Sequence, residues 1–143
     1  MSDGEPGISL GRMFEGMNAE QRARCRQDLL TRSSAVAQQG WYEFRRTWSQ
    51  GEVVGVALVL DDLDELARQC DTKSSALNRW AFDLWGLDAG EIEVESGCPR
   101  TREFFDSLRA VVRGEDSRPN PISKSDIDAY AQKVYEANRE AGY

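Results

Sequence analysis

Apolar residues recur at helical spacing along most of this chain, and residues that cap helices stand just before each run. Leu10, Met13, Phe14 and Met17 make the first run. Asn18 followed by Gln21 fits a capping box that opens a longer helix reaching about Gln39, where Gly40 suits a left-handed C-cap. Trp41, Phe44 and Trp48 then place an aromatic stripe on a short helix. Residues 49 to 60, SQGEVVGVALVL, send two signals. Their β-branched residues and two glycines favour a strand. The Ser49 to Glu52 box and the shared face of Val53, Val56, Ala57 and Leu60 predict a buried helix, with a fully buried strand as the rival.

Asp62 with Glu65 forms an acidic cap for a helix carrying Leu63, Leu66 and Ala67, and Asp71 or Thr72 caps the next. That helix buries Leu77, Trp80, Ala81 and Leu84 and ends at Gly86. The stretch LDAGEIEVESG alternates Glu91, Glu93 and Glu95 with Ile92 and Val94, the period of a short strand. Pro99 opens a helix with Phe104 or Phe105, Leu108, Val111 and Val112 inward and Gly114 as its stop. After a loop, Ser125 with Asp128 caps a last helix that turns Ile127, Tyr130, Ala131, Val134 and Tyr135 to the core. The expected fold is all-α, a single-domain bundle of six to seven short helices with a β element near 91 to 95. Residues 1 to 8 read as a loose tail and 9 to 143 as one helical domain.

Composition narrows the chemistry. The 143 residues can bury one real core, and 40% apolar content is ordinary for a globular protein. No apolar run approaches the roughly 18 to 20 residues that span a bilayer, and the first residues lack a basic segment followed by an apolar one. Cys25, Cys70 and Cys98 form no CxxC pair, too scattered for a disulfide framework or a thiolate zinc site. The expectation is therefore a cytoplasmic protein. Arginine outnumbers lysine fifteen to three, which suits a high-GC genome such as that of a bacterium or phage.

The chain contains no histidine, so Ser-His-Asp catalysis, Cys-His catalysis and imidazole metal ligation are excluded. Carboxylates are what remains: DDLDE at 61 to 65, and Asp88 with Glu91, Glu93 and Glu95. Oxygen ligands of this kind suit magnesium or calcium, but no EF-hand pattern is present, and helix caps plus a solvated face explain them. The cysteines fall on apolar faces or beside turns and read as structural. No catalytic residue, metal site or cofactor is expected.

Residues 63 to 80 resemble a helix-turn-helix. Ala67 takes the small position in the middle of its first helix. Leu63, Leu66 and Cys70 supply the inner face of that helix, and Leu77 and Trp80 supply that of the second. Asp71 stands where glycine is usual in the turn, and Thr72 where an aliphatic residue is usual. The resemblance implies a DNA-binding regulator whose second helix presents Lys73, Ser74, Ser75, Asn78 and Arg79 to phosphates and base edges.

Charge weighs against that implication. Residues 12 to 46 hold seven basic and four acidic groups, whereas residues 47 to 95 hold three basic and eleven acidic; the whole chain carries −7. Asp61, Asp62, Asp64, Glu65 and Asp71 would repel a DNA backbone unless the arginines of residues 22 to 46 fold beside them. The leading expectation is a non-enzymatic module or inhibitor that binds another protein. Its contacts would come from Trp41, Arg45, Arg46 and Trp48, since Trp and Arg dominate hot spots, and from Asp61, Asp62, Asp64 and Glu65. Such an acidic face could compete for a partner's basic, nucleic-acid-binding surface, as small inhibitors from phages and plasmids do. Tyr130, Tyr135 and Tyr143 on the last helix are a further candidate docking element.

Overall fold

A computed structural model describes residues 15 to 142, within which lie eight helices. They are α1 (Ala19–Gln39), α2 (Tyr42–Thr47), α3 (Gln50–Leu60), α4 (Leu63–Arg68), α5 (Lys73–Trp85), α6 (Leu87–Glu95), α7 (Pro99–Val112) and α8 (Lys124–Glu140). No strand occurs among the described residues, so the protein is all-α. Leu10, Met13, Phe14 and Tyr143, and the tail expected over 1 to 8, lie outside the described residues.

The helix α3 is the axis of the molecule. Val53 through Val59 are all buried, which happens to a helix that is apolar on every side. The strand rival is excluded, because the Ser49 hydroxyl and the Glu52 carboxylate close a reciprocal capping box that starts this helix. Around it pack α1, α4, α5 and α7. Gly55 lets the Trp80 indole lie directly on the α3 backbone; a Cβ there would come within 2.8 Å of the ring. At its far end, Arg109 of α7 donates from Nε to the Val59 carbonyl at 2.8 Å and from Nη2 to the Leu58 carbonyl at 3.0 Å. The Leu58 carbonyl also accepts the Asp61 N–H at 3.2 Å, and a cation at this end of the helix suits its dipole.

One end of the bundle is aromatic: α2 packs on α8, and Phe44 stacks with Trp48 at 5.1 Å and with Tyr130 at 6.2 Å. The Trp48 indole N–H donates to the Tyr130 hydroxyl at 2.8 Å, so the tryptophan is buried without an orphan donor. At the other end α5 and α6 form a tight hairpin through Gly86, whose φ of 93° favours glycine.

Two expectations require correction here. The alternating segment 91 to 95 is the end of helix α6 and not a strand. Its inward residues are Gly90, which rests on the Phe82 ring, and Glu93; both are buried, at the i, i+3 spacing of a helix. Apolar periodicity misses a face made of a glycine and a carboxylate. The last helix is capped by Ser123 with its Oγ on the Asp126 N–H, not by Ser125 with Asp128. Both pairs have the same spacing, but only the earlier one puts Ile122 and Ile127 at the two positions of a hydrophobic staple, and both are buried.

Candidate functional site

The acidic stretch 61 to 65 is mostly turned to internal use. Glu65 is 3% exposed and receives Arg45 through two hydrogen bonds, Nη2 to Oε1 at 2.6 Å and Nε to Oε2 at 3.0 Å. This fork-on-fork pairing raises the pKa of Arg45. Gln69 adds a further hydrogen bond to Glu65 at 3.1 Å. Asp62 caps α4 through Oδ1 on the Glu65 N–H and with Oδ2 accepts the Trp41 indole N–H at 2.9 Å. Asp61, the left-handed C-cap of α3, is held by Lys73 at 2.9 Å, and that ammonium keeps its carboxyl below the usual range. Asp64 alone in this run faces solvent without an ion pair among the described residues.

The aromatic stretch is likewise internal. Phe44 and Trp48 belong to the core, Trp41 is half-buried against Asp62, and the Arg46 guanidinium sits 4.3 Å over the Tyr42 ring. Of the residues expected to contact a partner, Trp41, Arg45, Asp62 and Glu65 tie α2 to α4, Asp61 ties the end of α3 to α5, and Trp48 ties the end of α2 to α8. Asn138 on α8 does the same for α2, donating to the Glu43 carbonyl at 2.9 Å. Tyr135 of the expected docking helix is hydrogen-bonded to Gln39.

The structure also decides the geometry of residues 63 to 80. Here α4 packs chiefly on α3, and α5 chiefly on α6, so the two helices do not make the crossed pair that the resemblance implies. Leu66 points inward, but Leu63 is 56% exposed and Ala67 and Cys70 are exposed as well, correcting the expected inner face. The turn is made by Cys70 at a φ of 60°. Lys73 is committed to Asp61 and Arg79 to Asp71. Burial opposes the charge on Asp71, yet Arg79 and the Thr72 N–H outweigh it and lower its pKa. Asn78 faces inward and accepts from the Cys98 thiol at 3.3 Å, while Ser74 and Ser75 remain exposed. Of the arginines between 22 and 46, Arg45 does fold beside α4, but Arg24 pairs with Glu20, and Arg22 and Arg26 face α5 and α7.

Uncompensated charge lies elsewhere. On α6, Asp88, Glu91 and Glu95 are exposed and have no ion pair or hydrogen-bond partner for their carboxylates among the described residues. They flank Leu87, 40% exposed, and Ile92, 64% exposed. Positions 88, 91, 92 and 95 are neighbours on one helix face. Glu93 is different: 4% exposed, it accepts the backbone N–H groups of Arg100 and Thr101 and the Thr101 hydroxyl, each at 3.0 Å, and so caps α7. The Glu91, Glu93 and Glu95 repeat thus splits into one buried cap and two solvent carboxylates.

Two concave features bring arginines beside aromatic rings. A cavity of about 290 Å³ between α1, α3 and α5 has Leu29, Val54 and Trp80 as its apolar lining and Asp28, Glu52, Arg32 and Arg79 among its polar groups. Arg32 satisfies both neighbouring carboxylates, Asp28 at 2.8 Å and Glu52 at 3.2 Å, while lying 5.0 Å over the Trp48 ring. A second groove, about 260 Å³, runs along Trp85 and Phe104 with Arg100, Glu103 and Ser107. Among the described residues no three Cys, Asp or Glu side chains are grouped to hold a metal ion, and no helix is long and apolar enough to cross a membrane. No protein-family model matches this chain, and no curated protein or solved structure matches it either.

Proposed function

We propose that this protein is a non-enzymatic binding module that engages a basic surface of another protein through the outer face of α6. The observation that carries this reading is Ile92, standing 64% exposed among the unpaired carboxylates of Asp88, Glu91 and Glu95. A large aliphatic side chain in water surrounded by like charges gains from burial only against a surface that neutralises those charges. Three unpaired carboxylates along one helix also speed encounter with a basic partner and reject an acidic one. A basic surface that normally holds nucleic acid has the required chemistry, so competition for such a surface is the form of inhibition this face suits.

DNA reading by residues 63 to 80 is the alternative, and it fares worse on the same electrostatics. Using Lys73 and Arg79 for phosphates means first separating them from Asp61 and Asp71. A salt titration against duplex DNA decides between the two: the binding module shows no attachment even at low salt, whereas a DNA reader binds there and weakens steeply as salt rises.

The proposal itself is tested by a photo-crosslinking residue placed at Ile92 and, as a control, at Gln38, which is exposed on α1. Crosslinks to a basic protein are expected at position 92 only, and lost when Asp88, Glu91 and Glu95 are changed to lysine. Equal capture at both positions, or capture that survives the charge reversal, overturns it.

A further inference from the structure

In a chain of net charge −7, with ion pairs spread along its surface, Arg100 lines the groove at Trp85, and Arg22 and Arg26 contact its lining residues Trp85 and Ser107. Arg100 lies 3.8 Å and Arg22 5.2 Å from the centre of the Trp85 ring. Arg26 reaches the same groove by donating from Nη1 to the Ser107 hydroxyl at 2.9 Å. None of the three guanidiniums is in an ion pair among the described residues. Arg22 spends one N–H on the Met17 carbonyl, and the Arg100 guanidinium makes no hydrogen bond among the described residues. Burial lowers the pKa of Arg26 and nearby Arg118 lowers it further, while the Asp116 carboxylate acts the other way. Arg118 is itself neutralised by Asp116, whose carboxyl is pulled down to about 2. Arg118 and Asp116 cancel each other beside Arg26, so the carboxylate that counts against these three charges is Glu103 of the groove's lining.

The floor is fixed. The Trp85 indole N–H donates to Thr101 Oγ1 at 3.0 Å, and that hydroxyl donates to buried Glu93, so the ring cannot turn without breaking the cap of α7. Phe104 supplies a half-buried apolar wall beside it.

We infer that this groove binds a phosphate monoester whose organic body bears an aromatic ring. Three guanidiniums less one carboxylate leave +2, which a phosphate monoester matches with about two negative charges, whereas a carboxylate brings one. Its three oxygens suit arginine forks that have N–H groups to spare. An aromatic body fills the volume along Phe104, where a guanidinium also offers a stacking face. No residue of the outer face of α6 lines this groove, and its test is independent of the function proposed above.

The test uses the full chain and follows the Trp85 indole N–H resonance while phenyl phosphate, inorganic phosphate and benzoate are added in turn. Phenyl phosphate is expected to shift that resonance, with inorganic phosphate and benzoate each at least ten-fold weaker. Arg100→Gln, an exposed position, is expected to weaken phenyl phosphate at least ten-fold, Arg100→Lys less so, and exposed Arg24→Gln not at all. Adenosine monophosphate and O-phosphotyrosine then separate a nucleotide from a phosphopeptide as the source, the tighter of the two naming it. The inference is overturned if phenyl phosphate leaves Trp85 unmoved, if benzoate or inorganic phosphate binds as well as phenyl phosphate, or if Arg24→Gln weakens binding as much as Arg100→Gln.

Discussion

Residues of one type, evenly spaced, have unequal roles here. Glu91, Glu93 and Glu95 are identical to a reader of composition, yet only Glu93 closes three hydrogen bonds at the start of α7. Removing it leaves buried donors with no acceptor, so Glu93→Ala should cost about 3 kcal/mol, while Glu91→Ala should stay within about 0.5 kcal/mol. Denaturant unfolding of both variants checks this, and equal losses would refute the assignment of the cap. The same inequality runs through 61 to 65. Charge density along the sequence cannot tell Glu65, gripped by Arg45, from Asp64 in water, because the discriminating partner lies twenty residues away.

At the scale of elements, capping chemistry was legible from local spacing. The boxes at Asn18 and Ser49, the Asp62 cap and Pro99 at the first turn of α7 stand where residue type placed them, Thr72 rather than Asp71 caps α5, and Ser123 rather than Ser125 caps the last helix. What spacing could not supply was the contact each face makes. Gly51 and Gly90 are both helical glycines with ordinary φ, but a Cβ at Gly51 meets nothing within 4 Å, and one at Gly90 comes within 2.6 Å of Phe82 Cδ1 and 3.1 Å of its Cα. Alanine is the better helix former by about 1 kcal/mol. Gly51→Ala should therefore stabilise the protein by about 0.5 to 1 kcal/mol, and Gly90→Ala should destabilise it despite the same intrinsic gain. Thermal melts of the two variants should move in opposite directions; parallel shifts would contradict the close packing of α5 on α6.

For the whole molecule, the electrostatic picture changes from an acidic block in the sequence to a set of internal pairs, with the carboxylates on the outer face of α6 and the arginines at Trp85 unpaired among the described residues. Asp61 and Asp71 have carboxyls held below their ordinary pKa by Lys73 and Arg79. A depressed folded pKa contributes stability that is complete above about pH 4 and is lost as the pH falls through the folded value. The melting midpoint should accordingly drop as the pH falls below about 4, and Asp71→Asn should lower it at neutral pH while making that acid drop shallower. An Asp71→Asn variant with an unchanged acid profile would show that the Arg79 pair adds nothing to stability. The helical class and the exclusion of histidine chemistry came from the chain alone, since periodicity, caps and composition are local properties, whereas helix over strand at 50 to 60 and at 91 to 95 was decided by the structure. Which carboxylates are paired, which arginines lack partners and which face of α6 meets water were decided by tertiary structure, because charge is neutralised by neighbours in space and not by neighbours in sequence.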